Sequence, residues 1–319
     1  MTSPEDQPGR ACSVSYRYSP AVLARAPDFE ADTLYVVGGL YGNPCALETI
    51  LEMAAEEPAT VILVFNGDFN WFNVDPDSFR SLNETVLAHR ALRGNVETEI
   101  AGASGRADCG CGYPSWVSDA EVARSNEIIL RLHETARPFR AIRSALAQLP
   151  MHAVASVGAT RVGIVHGDAE SLAGWSYTPD ALGRREGSDR LRSHFEAGDL
   201  DVIASSHTCR PLALTLNAGR KRALFNNGAA GMPNFRGDGA GLITRVSTYP
   251  APGALYGTLV GDVHVGALRV PYRHDRWLDA FLKNWVEGSA AYTSYFDRIA
   301  RGANIEVEAA AAGLDRHAL

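Results

Sequence analysis

TVILVFNGD, residues 60–68, is an apolar run that ends abruptly in a polar glycine turn. A short apolar run bounded in this way is typical of a β-strand buried on both faces. Thr33–Val37 is a second such run, and Pro44–Ala55, which follows it, has helical spacing with proline near the first turn. Two successive strand–loop–helix units predict an α/β architecture, in which ligands bind beyond the carboxyl ends of the strands.

Five short segments occur in a fixed order around these runs. They are Gly39-Leu40-Tyr41-Gly42-Asn43, Gly67-Asp68, Gly94-Asn95-Val96-Glu97, Val165-His166-Gly167-Asp168 and Ser206-His207-Thr208-Cys209. Their order and spacing resemble the calcineurin-like metallophosphoesterase family, whose pattern is Asp-x-His-Gly-Asn, Gly-Asp, Gly-Asn-His-Asp/Glu, a His segment and Gly-His-x-His. The resemblance covers about residues 33–272 and implies a two-sheet β-sandwich flanked by helices.

The resemblance also implies a centre in which two metal ions clamp a phosphate and activate a water. The ligands of one ion are all intact, and they fall on Asp68, Asn95, His166 and His207. The ligands that belong only to the other ion are all changed, and they fall on Gly39, Tyr41 and Cys209. We therefore expect one divalent ion per chain. Two imidazoles, a carboxylate and an amide oxygen suit manganese, zinc or iron.

The catalytic roles predicted from the resemblance belong to Asp68, His166 and His207, which would hold the ion that orients phosphate and activates water. The position of the family's general acid falls on Val96, which cannot donate a proton. General-acid help is typically worth about 10²–10⁴-fold. We therefore expect a preference for good leaving groups, as in anhydrides, nucleotides or activated phosphodiesters.

Asn43 and Arg210 are candidates for substrate binding. Asn43 could contact a phosphate or could cap the helix that follows it. Arg210 could pair with phosphate, whose geometry suits a guanidinium, or could form a surface ion pair. Tyr41 could donate a hydrogen bond to a substrate oxygen, but filling the space of the lost ion is the favoured interpretation.

Three cysteines offer another possibility. Cys109 and Cys111 lie in a Gly-rich loop after the Gly94 segment, and Cys209 occupies a former ligand position. Thiolates suit soft metals, so these residues could rebuild the altered site. The simpler interpretation is that Cys109 and Cys111 are free thiols in a tight turn, because one Cys-x-Cys pair is a weak metal signal.

The predicted organisation is an N-terminal tail (1–30), a metallophosphoesterase-like domain (31–275) and a C-terminal helical extension (276–319). A helical insert is expected at about 115–148, and a helix is expected over Pro76–Ala91. Aromatic residues near the motifs could line a pocket, although packing is their commoner role, and these are Trp71, Phe72, Trp116 and Trp175.

Composition narrows the classes of function. The chain has 319 residues, 46% of them hydrophobic, and a net charge of -7, which argues against nonspecific nucleic-acid binding. Five cysteines do not suggest a disulfide scaffold. No apolar run is long enough to span a membrane and no secretory segment is evident, so we expect a cytoplasmic protein. The oligomeric state stays open.

Two functions follow as hypotheses. The first is a metal-dependent phosphoesterase-like hydrolase that acts on a small phosphate ester, nucleotide or phosphodiester. The alternative is a non-catalytic relative that binds a phosphorylated ligand or a protein partner. A centre rebuilt with cysteines is a third and weaker possibility.

Overall fold

The strands of the protein form two six-stranded sheets in a computed structural model that describes residues 7–10, 13–102 and 108–315. In spatial order, the first sheet contains β1 (Phe29–Ala31), β5 (His152–Val157), β6 (Thr160–Val165), β7 (Val202–Ser205), β9 (Arg220–Asn227) and β8 (Pro211–Ala218). The second sheet contains β11 (Ala254–Val260), β12 (Val263–Val270), β10 (Gly241–Ser247), β2 (Thr33–Val37), β3 (Val61–Asn66) and β4 (Arg90–Leu92).

Helices cover the outer faces of both sheets. In chain order they are α1 (Pro44–Glu56), α2 (Pro76–Leu87), α3 (Asn95–Ala101), α4 (Asp119–Ala136), α5 (Arg140–Gln148), α6 (Pro179–Leu182), α7 (Arg185–Ala197), α8 (His274–Asn284), α9 (Ala290–Arg301) and α10 (Val307–Ala310). Across the described ranges, none of the helices combines the length and the apolar character needed to cross a bilayer.

Strand β2 illustrates how the layers are held together. Successive side chains of a strand point to opposite faces. Leu34 and Val36 pack in the core between the two sheets, while Tyr35 and Val37 pack in the core between the second sheet and its helices. All four are buried, which explains why the strand has an uninterrupted apolar sequence.

Parallel strands bring the motif segments to one edge of the sandwich. In the second sheet β2, β3 and β4 run parallel, and in the first sheet β6, β7 and β9 do so. The five segments directly follow β2, β3, β4, β6 and β7. Each sheet therefore contributes side chains to the same region beyond its strand ends, as expected for an α/β architecture.

The predicted α/β sandwich is confirmed, and most predicted elements occur within a few residues of their expected bounds. The helix expected over Pro76–Ala91 is an exception, because α2 ends at Leu87 and residues 90–92 form β4. The short strand pairs with β3 and thereby satisfies its backbone groups in the sheet. In the predicted tail, β1 pairs with β5 and Leu23 is fully buried.

Candidate metal centre

Two glycine turns bring the candidate ligands close together. Gly67, with φ +76°, precedes Asp68, with φ +52°, at the end of β3. A Cβ at Gly67 would lie 2.6 Å from His166 Nδ1, and a Cβ at Gly94 would collide with the Asp68 carboxylate. Glycine at both positions is therefore required for Asp68 and His166 to approach each other.

Four polar atoms converge at one point. His166 Nε2 lies 3.3 Å from Asp68 Oδ2, 3.2 Å from Asn95 Oδ1 and 3.2 Å from His207 Nδ1. All four side chains are buried. In the described part of the chain, Asp68, His166 and His207 are the group of His, Cys, Asp or Glu residues close enough together to hold a metal ion, with ligand atoms within 4.8 Å of one another.

Backbone carbonyls fix which atoms of the imidazoles face this point. His166 Nδ1 lies 2.8 Å from the carbonyl oxygen of Asn66, and His207 Nε2 lies 3.0 Å from that of Cys111. A carbonyl only accepts, so these nitrogens carry hydrogens, and in the neutral form of each ring the opposite nitrogen presents a lone pair. The Asn95 amide likewise donates to the Cys109 carbonyl at 2.9 Å, which turns its oxygen toward the site.

The result is a set of four acceptors that face one another without a donor between them. Such a buried arrangement is unfavourable unless a positive charge lies among the acceptors. Two nitrogens and two oxygens of this kind fit a divalent ion, and the carbonyls that orient the imidazoles are the usual partners of metal-ligating histidines. Asp68, Asn95, His166 and His207 could therefore hold a metal ion.

The electrostatics favour one positive charge beside Asp68. Burial lowers the pKa of His166, but the Asp68 carboxylate outweighs this effect and the pKa is raised. Burial would raise the pKa of Asp68, but His166 lowers it. Burial and the neighbouring His166 lower the pKa of His207 to about 4, so His207 stays neutral.

Glu97 joins the two loops that carry Asp68 and Asn95. Its buried carboxylate accepts hydrogen bonds from the backbone N–H groups of Asp68 at 2.6 Å, Asn70 at 3.1 Å and Gly94 at 3.0 Å. Burial and the Asp68 carboxylate raise the pKa of Glu97 to about 7. Glu97 contacts backbone rather than the converging atoms, so it positions the ligands.

The three altered positions contact one another beside this centre. The Tyr41 ring is buried, and its hydroxyl lies 2.6 Å from Cys209 Sγ. A Cβ at Gly39 would lie 2.7 Å from Cζ of the Tyr41 ring. An aspartate at Gly39 and a tyrosine at Tyr41 therefore exclude each other sterically, which gives a physical reason why these ligand positions changed together.

Cys109 and Cys111 are joined as a disulfide, so the expectation of free thiols was wrong for this pair. Gly110, with φ +63°, provides the left-handed turn between the two cysteines, whose Cα atoms lie 5.3 Å apart. Neither sulfur is then a thiolate ligand, and the candidate metal cluster among the described residues contains no cysteine. The loop instead contributes its carbonyl groups, which orient two of the candidate ligands.

A small aromatic cavity of about 50 Å³ opens beside the centre. It is lined by Tyr41, Asp68, Trp71, Asn95, Val96, Cys111, Tyr113, Trp175, His207, Cys209 and Tyr295. Within the described ranges of the chain, this lining contains no lysine or arginine. Of the four aromatic residues for which a pocket role was weighed against packing, Trp71 and Trp175 belong to the lining and Phe72 and Trp116 do not. Tyr113 and Tyr295 were not identified from the sequence. Tyr295 belongs to α9, in the C-terminal extension, where the family resemblance offers no guide.

The overall fold is similar to that of solved structures. A metallophosphoesterase from Sphaerobacter thermophilus is 18% identical, with a TM-score of 0.53 over 85% of this chain and 100% of that one. The chain has the metallophosphoesterase fold. A hypothetical protein from Pyrococcus horikoshii is 14% identical, with a TM-score of 0.58 over 86% of this chain and 99% of that one. No family model and no curated protein matches the sequence.

The two residues predicted to bind substrate lie outside the cavity lining of this metallophosphoesterase fold. Asn43 is fully buried, caps α1 by accepting from Ala46 N at 3.0 Å and donates to the Gly231 carbonyl at 3.0 Å. Arg210 is partly exposed and forms an ion pair with Asp180 at 3.3 Å. Their roles in substrate binding stay predictions. In the structure Asn43 caps a helix and Arg210 forms a surface ion pair, which were the alternatives to substrate binding.

Metal content measures the centre directly. We expect protein loaded with manganese or zinc and then desalted to retain about one ion per chain in elemental analysis. His166→Ala should lose most of this ion because it removes the nitrogen on which the other three atoms converge. His264→Ala, on β12 outside the site, is the control and should retain it. Equal retention in His166→Ala would contradict this ligand set.

The steric exclusion between Gly39 and Tyr41 predicts non-additive effects on stability. Gly39→Asp alone should lower the free energy of unfolding by roughly 1–3 kcal/mol, measured in urea, because it overpacks the site. Combining it with Tyr41→His should recover the steric part of this loss, since the ring that obstructs the aspartate is removed, while the strain of a side chain at the left-handed Gly39 (φ +65°) remains. Adding Cys209→His should then raise the metal content to about two ions per chain. Additive losses in the double variant would contradict the steric explanation.

Proposed function

We propose that the protein is a metal-dependent phosphoesterase that uses one manganese, zinc or iron ion to hydrolyse a small phosphate ester, nucleotide or phosphodiester. The convergence of Asp68, Asn95, His166 and His207 on one point, beside a cavity, carries this proposal. The likeness to a metallophosphoesterase structure supports it. When bound, such an ion supplies Lewis-acid polarisation of a phosphoryl oxygen and lowers the pKa of a bound water.

The size of the cavity limits what can approach the centre. The cavity has a volume of about 50 Å³ and is partly open, so a phosphoryl group could lie against the centre while the rest of a larger substrate extends toward solvent. The residues of this chain would position that group against the centre, while the aromatic walls exclude bulk water from it.

Proton donation to the leaving group is poorly provided for. Val96 replaces the family's acid and lines the cavity. Burial raises the pKa of Tyr113 to about 12, and burial raises the pKa of the Cys209 thiol. Neither is a good proton donor near neutral pH. The leaving group would therefore depart without general-acid help, which favours substrates whose leaving groups are stable as anions.

The charge of the cavity favours a phosphodiester over a phosphomonoester. A diester carries one negative charge near neutral pH, whereas a monoester carries close to two. Among the residues that the structure describes, the cavity walls offer no lysine or arginine to balance the second charge, and apolar walls make an unbalanced charge costly. Among phosphate esters, an activated diester is therefore the substrate that this site suits best.

The non-catalytic alternative rests on a specific observation as well. Tyr41 fills space beside Asp68 where the family resemblance implies a second ion, and Val96 removes the acid. A protein of this kind would bind a phosphorylated ligand without turnover. The two functions differ in one measurable quantity, which is hydrolysis by the fully metal-loaded protein.

Turnover of bis(p-nitrophenyl) phosphate tests the proposal. Manganese-loaded protein should release p-nitrophenolate, and His207→Ala should lower kcat/KM by at least about 100-fold, because it removes one of four ligands. His264→Ala should leave the rate unchanged. Binding of inorganic phosphate without turnover of any ester in a broad panel would instead establish the non-catalytic alternative.

Restoring an acid at position 96 should change how the rate of hydrolysis depends on the pKa of the leaving group. With a series of aryl phosphodiesters, Val96→His should raise the rate of the poorest leaving groups by roughly 10–100-fold and barely change p-nitrophenyl esters. Val96→Phe, which adds a ring without a titratable group, is the matched control. A uniform change along the series in both variants would argue against a missing acid.

A further inference from the structure

An exposed tryptophan lies beside the aromatic cavity. Trp175 lines the cavity, and its indole N–H donates to the Cys111 carbonyl at 2.9 Å. The Trp175 ring lies 5.2 Å from the His207 ring, edge to face. On its other side, the Trp116 ring packs edge to face at 5.6 Å and is 64% exposed. A row of rings thus extends from the centre to solvent.

The turn that carries Trp116 is held in place. Val117 N donates to the Pro114 carbonyl at 3.1 Å and closes the turn. The Arg10 guanidinium donates to the carbonyls of Pro114 at 2.9 Å and Val117 at 2.8 Å. Trp116 is therefore presented to solvent by a fixed backbone, which reduces the entropy lost when a ligand packs against it.

The cavity is small and partly open to solvent. Its volume is about 50 Å³, so part of a substrate larger than a phosphate would extend from it past the lining residues. Trp116 is the exposed neighbour of Trp175. Tryptophan combines a large apolar ring with a polar N–H and is enriched at binding interfaces.

We propose that Trp116 and Trp175 form a stacking site for a planar aromatic group carried by the substrate phosphate, either a nucleobase or an aryl group. This inference rests on the proposed phosphoesterase function and names the class of substrate. Stacking suits the site because an aromatic face needs no charge partner, and neither tryptophan supplies one. The phosphate would face the centre while the aromatic group packs on the exposed indole.

Binding to manganese-loaded protein tests the stacking site without relying on turnover. Calorimetry should show adenosine monophosphate binding at least fivefold more tightly than ribose 5-phosphate. Both are monoesters of equal charge, so the cost of the second charge cancels and the ratio isolates the contribution of the base; phenyl phosphate, also a monoester, distinguishes an aryl preference from a nucleobase preference. Trp116→Ala should weaken the binding of adenosine monophosphate about tenfold, and Trp116→Phe should retain most of the affinity. Inorganic phosphate should bind equally to all three proteins. Val286→Ala, equally exposed at 64%, is the control and should change nothing.

Two further outcomes separate this proposal from the proposed function. Equal affinities for the aromatic phosphates and ribose 5-phosphate, or no loss in Trp116→Ala, would overturn the stacking site. Absence of both phosphate binding and turnover in the wild type would overturn the phosphoesterase function instead. In that case tryptophan fluorescence with adenosine alone decides: a loss of binding in Trp116→Ala supports the stacking site, and no loss overturns it.

Discussion

The main physical constraint on this structure is the close approach of four buried acceptor atoms, from Asp68, Asn95, His166 and His207, at the candidate metal centre. The carbonyls of Asn66 and Cys111 each accept from one nitrogen of an imidazole, so in the neutral rings the other nitrogen of His166 and of His207 directs its lone pair inward. Gly67 and Gly94 are then required, because any side chain there would occupy the space of a ligand. The fold holds the four acceptor atoms close together despite their mutual repulsion, through its parallel strands, tight turns and buried loops.

Apolar runs that end in polar turns predicted an α/β architecture, whereas the two-sheet sandwich and the four converging residues were predicted from the family resemblance carried by the five segments. Contacts between distant segments of the chain produce no local sequence pattern from which they could be predicted. Tyr295 reaches the cavity from α9, and the pairing of Cys109 with Cys111 depends on backbone angles rather than on composition. The boundary between α2 and β4 was missed because β4 is too short to show a period of its own.

The altered half of the site shows why residue changes must be interpreted as a set. Glycine at position 39 provides the space that the Tyr41 ring occupies, and Cys209 provides a partner for its hydroxyl. The residue at each of these three positions can be explained only together with the residues at the other two. The resulting wall is aromatic and uncharged, so the same changes that remove one group of ligands also determine the apolar character of the cavity.

The origin of the four ligands has a consequence for folding. Asp68 and Asn95 follow strands of the second sheet, whereas His166 and His207 follow strands of the first. An ion held by all four would link the two halves of the sandwich at their open edge. Since binding to the native state alone adds about 2.7 kcal/mol at a hundredfold excess over Kd, the metal supply of the cell would also govern the lifetime of the folded chain.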